Sequence, residues 1–127
     1  MILIFGALLG FISVAFGAFA EHGLRESVTD EQLRFLMTAV RYNQVNSLVI
    51  TVIGLALLND SKIANIPTLG LSGMLFILGT LLFSFSIYLS VSFNIPSLVN
   101  ITPVGGMTIM AAWLMLLISG LIAKKHF

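Results

Sequence analysis

The side chains best suited to chemistry stand in two short stretches. Glu21 and His22 adjoin at the end of the first apolar run, Ile2 to Ala20. A carboxylate beside an imidazole can pass protons near neutral pH. Tyr42, Asn43, Gln44, Asn46 and Ser47 crowd the start of a second apolar stretch, where amides and hydroxyls could bond a ligand or one another. Together they predict a polar cluster of His22, Tyr42, Asn43 and Asn46, in which a neutral His22 acts as a structural clasp. Catalysis is the weaker reading. Neighbouring helical residues point about 100° apart, and polar side chains at a helix end simply meet headgroups. No catalytic residue is therefore assigned. No metal site is expected either, because cysteine is absent and the only other histidine, His126, is expected on the opposite membrane face. Nothing calls for a cofactor.

The elements that must position these groups follow from composition. With 58% hydrophobic and only 9% charged residues, a domain this small lacks the charged surface that keeps soluble proteins dissolved. From Ile63 to Ala123 no charged residue occurs, which suits two membrane helices of about 20 residues joined by a polar turn. The expectation is an all-α integral membrane protein forming a single domain, 1–127. Its four-transmembrane-helix bundle has helices near 2–20, 30–58, 68–91 and 103–123. The net charge of +1 gives no reason to expect nucleic acid. Membrane lipids, other membrane proteins or a second copy are the partners to consider.

In helix 1, Gly6, Gly10, Ser13 and Gly17 share a narrow stripe, and Gly6-x-x-x-Gly10 is the spacing that lets helix backbones approach in lipid. Packing within one bundle is the preferred reading over dimerisation, since neighbouring helices of a bundle use such motifs equally well. Ala18-Phe19-Ala20 resembles a signal cleavage site, but Met1 to Phe5 has no Lys or Arg and the run is long, so retention is expected. Gly23 reads as a left-handed stop. Thr29-x-x-Gln32 fits a capping box and opens a single long helix 2, extended by an amphipathic segment in which Leu33, Leu36, Met37 and Val40 share a face.

Helix 3 carries two small or polar faces, Gly73/Thr80/Ser84/Tyr88 and Ser72/Gly79/Ser86/Ser90, and should pack between two neighbours. Thr102-Pro103 reads as N-cap and first residue of helix 4, whose packing residues include Gly105 and Gly106. Trp113 lies near its middle, so its indole N–H should need an internal partner. Lys62, Lys124, Lys125 and the N-terminus fall on one side, Arg25, Arg34 and Arg41 on the other. The lysines hard against a span favour both termini in the cytoplasm.

Four segments carry a family resemblance: Gly17-Ala18-Phe19-Ala20-Glu21-His22-Gly23, Ala39-Val40-Arg41-Tyr42-Asn43, Leu82-Phe83-Ser84-Phe85-Ser86-Ile87-Tyr88 and Ile101-Thr102-Pro103-Val104-Gly105-Gly106, with Trp113 beyond. In order and spacing the chain resembles the YgdD family of small four-helix inner-membrane proteins of bacteria, a domain of unknown function. The resemblance implies a multipass protein of the bacterial inner membrane and no established activity. The family usually reads Gly-Ala where this chain has Ala20-Glu21, and His where it has Asn46. A role for that histidine in relatives could not pass to Asn46.

Three functions fit these residues. The first is a non-enzymatic structural or accessory component of the membrane, in which the packing residues matter most. The second is a homo-oligomeric pore or small-solute transporter lined by Ser72, Ser86 and Ser90, although no inverted repeat supports it. The third is an interfacial lipid-binding protein or enzyme using Glu21 and His22.

Overall fold

The computed structural model describes all 127 residues, and they are almost entirely helical. Four long helices follow one another: α1 (Ile2–Leu24), α2 (Asp30–Asn59), α3 (Pro67–Ser92) and α4 (Pro96–His126), with a one-turn helix at Ser61–Ala64 before α3. Three of the four, α1, α3 and α4, are long and apolar enough to cross a membrane.

Each boundary has a local cause. The Thr29 hydroxyl accepts from Gln32 N at 3.1 Å while Gln32 Oε1 accepts from Thr29 N at 2.9 Å, which satisfies two of the orphan donors at the start of α2. From there α2 runs unbroken through 30 residues. Asp60 Oδ1 then accepts from Lys62 N at 2.8 Å and so caps the one-turn helix.

Two boundaries differ from what sequence rules predict. Gly23 is no left-handed stop: α1 continues through it as a π turn, Ala20–Leu24, and no glycine has positive φ. The Phe19 ring lies so close to Gly23 that a Cβ there would come within 2.8 Å of it. The expected loop before helix 4 contains a 3-10 stretch, Pro96–Ile101, so Thr102 is already helical and caps nothing. Its hydroxyl instead lies 2.7 Å from Ser86 Oγ on α3. A tertiary bond has displaced the local one.

The helices pack as two antiparallel hairpins joined through α2 and α3. Along α1 and α2 the facing pairs are Leu3 with Gly54, Gly6 with Thr51, Gly10 with Ser47 and Gly17 with Val40. An added Cβ at Gly54 would come within 2.7 Å of the Leu3 backbone, and one at Gly6 within 2.8 Å of Thr51 N, so both positions are occupied by a neighbouring main chain. Gly10 and Gly17 meet only side chains, at 3.7 and 3.3 Å. The second hairpin repeats the device. Gly79 packs against Ile109, and Gly105 against the backbone of Leu82 and Phe83. That last contact falls within a second π turn, Leu81–Phe85. A Cβ at Gly106 would lie 3.8 Å from the Phe83 ring, an ordinary contact.

Between the hairpins, Leu9, Ile50, Ile53, Phe76, Ile77 and Ile109 form one apolar cluster, and Ala20, Leu36, Ala39, Val40, Ile87 and Tyr88 a second. Half of the apolar stretch of α3 is buried (50%), against 17% for α1 and for α4. The centre of the molecule is therefore α3, while α1 and α4 turn large apolar side chains such as Phe11, Val14, Met110 and Leu114 outward. Trp113 belongs to that outer set. It is 45% exposed, its ring meets Phe76 edge-on at 5.0 Å, and its indole N–H makes no internal bond, contrary to the expectation above. The small residues that pack α4, Gly105, Ala112 and Ser119, lie on its other face.

Candidate functional site

The polar side chains in the apolar helices form two seams. On α2 and α3, Asn43 Nδ2 donates to Tyr88 Oη at 3.0 Å, Asn46 Nδ2 to Thr80 Oγ1 at 3.0 Å, and Ser84 Oγ to the Ala39 carbonyl at 2.7 Å. Ser47 adds a bond to the Asn43 side chain at 3.1 Å. On α3 and α4, Ser72 donates to the Ala112 carbonyl at 2.9 Å, Ser119 to Thr68 at 2.7 Å, and Ser86 pairs with Thr102. The face Gly73/Thr80/Ser84/Tyr88 thus looks at α2, and Ser72, Gly79 and Ser86 look at α4. In a medium without water such groups must find partners in the protein, and here helix pairs supply them. Asn46 Oδ1 and Ser92 Oγ are the two buried side-chain atoms left over.

The predicted cluster of His22, Tyr42, Asn43 and Asn46 comes apart. Asn43 and Asn46 are buried between α2 and α3. Tyr42 is 43% exposed and meets the Phe83 ring edge-on at 5.0 Å. His22 is exposed and makes no side-chain hydrogen bond; it lines a hollow with Met37, Arg41 and Gln44. The reason is rotational. Residues 43 and 46 share one face of α2 and residues 37, 41 and 44 another, and α3 rather than α1 takes the first. Periodicity shows which residues share a face, not which neighbour occupies it.

Glu21 does not pair with His22. Its carboxylate accepts from Arg25 Nη1 at 3.3 Å, one helical turn on, in an exposed ion pair of the kind that contributes little to stability. No three of the His, Asp and Glu side chains converge where a metal could sit. No hydroxyl is held against a base, so no nucleophile is prepared here. What the mouth between α1 and α2 does offer is the Arg41 guanidinium and the His22 imidazole, with Glu21 beside them and the Gln44 amide on the same hollow.

Sequence reading missed the partners rather than the polar residues themselves. Thr80, Tyr88, Ser84 and the Ala39 carbonyl carry no mark that pairs them with α2. Gln44 stands among the polar residues at the start of α2, but its spacing alone gives it no partner.

The matches to known proteins fit a membrane chain. A family model described as a protein of unknown function, DUF423, matches residues 16–106. The UPF0382 membrane protein SH2409 of Staphylococcus haemolyticus is 35% identical over 94% of this chain and 93% of its own length. YwdK of Bacillus subtilis, also named a UPF0382 membrane protein, is 33% identical over 92% and 93%. The UPF0382 inner membrane protein YgdD of Escherichia coli is 32% identical over 97% and 91%. No solved structure matches.

Proposed function

Because this chain belongs to the DUF423 family, whose relatives above are named membrane proteins, we propose that it is a non-enzymatic, four-span accessory component of the bacterial inner membrane. The observation that carries the reading is the fate of the buried polar groups. Asn43, Asn46, Thr80, Ser84, Tyr88, Ser72, Ser86 and Ser119 are bonded across helix contacts rather than lining a passage. Groups so committed act as interhelical glue. A pore lined by Ser72, Ser86 and Ser90 would have to break bonds that Ser72 and Ser86 already make.

Counting α2 as the fourth span rests on its packing. From Val40 to Gly54 it lies along α1 with two contacts at backbone distance, so the two helices cross the same depth. Between Tyr42 and Leu58 it carries no charge, and its buried amides are paired with α3. The lysines Lys62, Lys124 and Lys125 then favour both termini on the cytoplasmic side. The glycines that the close packing needs, Gly6, Gly54, Gly79 and Gly105, are the residues on which this function depends. Purified protein in liposomes tests the reading: release of trapped solutes and protons should match protein-free vesicles. Flux above that level, lost on Ser86→Leu, would replace the scaffold with a pore.

A further inference from the structure

Two hollows on the outer side of the α1/α2 contact join end to end. The one nearer the Arg41 end, about 430 Å³, is lined by Gly17, Glu21, His22, Met37, Arg41 and Gln44 among others. The next, about 410 Å³, is lined by Gly6, Ala7, Gly10, Leu48 and Thr51. Val14 and Gln44 belong to both, so a single groove runs from the polar end of the hairpin toward its middle. Its lining on α1 is mostly glycine and alanine, with Ser13 and Val14, whereas the rest of that helix turns Ile4, Leu8 and Phe11 outward.

The polar groups along it are free. The only ion pair in the chain is Glu21 with Arg25, so Arg41 is unpaired and the Glu21 carboxylate at the mouth is already countered. His22 makes no hydrogen bond. Gln44 is exposed and also unbonded, although it lies one turn past Arg41, about 4.5 Å further along the axis. Asn43 and Asn46 on the same helix bond into α3. An amide facing hydrocarbon without a partner is costly, and Gln44 makes no hydrogen bond within the chain.

We propose that this groove holds one anionic phospholipid. Arg41 and His22 take the phosphate, the Gln44 side chain donates to an ester carbonyl, and one acyl chain lies over Val14, Gly10 and Ala7 beside Leu48. The spacing is that of a lipid: cation, then amide, then an apolar channel, in order of depth. A zwitterionic headgroup would bring an ammonium toward Arg41, so the charge selects a net negative lipid. The inference deepens the accessory reading and rests on α2 being a span, since only then does Gln44 lie below the headgroups.

Native mass spectrometry of the full chain in detergent tests it, with dioleoylphosphatidylglycerol and dioleoylphosphatidylcholine added at equal concentration. One phosphatidylglycerol per chain should be retained over phosphatidylcholine. Arg41→Gln should lower its occupancy roughly fivefold, the weight of one basic side chain beside an anionic lipid. Arg34→Gln, on the same helix but outside the groove, should not. Ala7→Leu fills the channel from an exposed position and should weaken both lipids. Equal retention of the two lipids by the unaltered protein, or indifference to Arg41→Gln, overturns the proposal. So does displacement by glycerol phosphate, which would assign the site to a free phosphate. Labelling of Gln44→Cys separates this failure from that of the span reading: a water-soluble maleimide should not reach it, and ready reaction would place α2 outside the membrane whichever lipid binds.

Discussion

The side-chain amide of Asn43 and the hydroxyl of Tyr88 meet at 3.0 Å with both residues buried, α2 donating to α3. Phe16 of α1 stacks on the same tyrosine ring at 3.9 Å, so Tyr88 touches both helices of the first hairpin. Tyr88→Phe keeps the stacking and deletes the acceptor. It should lower stability by roughly 0.6 kcal/mol, the average for a hydrogen bond between membrane helices. Asn43→Leu should cost more, because Ser47 loses its bond to the Asn43 side chain as well. Thermal unfolding in detergent measures both, and a Tyr88→Phe protein as stable as the parent would mean that the bond contributes nothing.

Glycines that look alike in sequence separate sharply in the structure. Gly54→Ala and Gly105→Ala press a methyl into the backbone of α1 and of α3 respectively, and each should destabilise by about 1–3 kcal/mol, the range for overpacking. Gly70 and Gly120 have open space around them, so alanine there should be neutral or mildly stabilising. Melting temperatures that fall equally for all four would contradict the close-contact assignment. Gly10→Ala, with 3.7 Å of room, belongs with the tolerated pair.

Much of this was legible beforehand because lipid leaves a simple code. Small residues at helical spacing marked the side of α1 that meets α2, and the two small faces of α3 foretold two neighbours. The Thr29/Gln32 box marked the start of α2. What was not legible depends on the neighbours' identity. Gly54 and Gly79 gain their importance from Leu3 and Ile109, which no spacing rule links to them. Thr102 abandoned its cap for Ser86, a residue 16 positions away. The succession of helix 1 and helix 2 puts His22 beside the start of α2, but α3 occupies the face that carries Asn43. The π turns at 20–24 and 81–85 overlap two of the segments that carry the family resemblance; the sequence points to a helix end and a Gly23 stop at the first and to a regular helix at the second.

Trp113 is the only tryptophan, which makes its exposure measurable without substitution. Half exposed on the outer face of α4, its indole should fluoresce as a lipid-facing group and be quenched strongly by phospholipids brominated near the middle of their chains. Quenching no stronger than by lipids brominated near the headgroup would place it elsewhere. Trp113→Phe should keep the edge contact to Phe76 and leave stability nearly unchanged.

The central claim, a chain that crosses the membrane four times with α2 among the spans, is tested most directly by cysteine labelling in intact cells. Cysteine is absent from the sequence, so each introduced thiol reports alone. With both termini in the cytoplasm, Ser27→Cys before α2 should react with a membrane-impermeant maleimide, whereas Ser61→Cys and Lys125→Cys should react only after permeabilisation. Reaction of Ser27→Cys and Ser61→Cys from the same side would show that α2 does not cross, and would contradict the account.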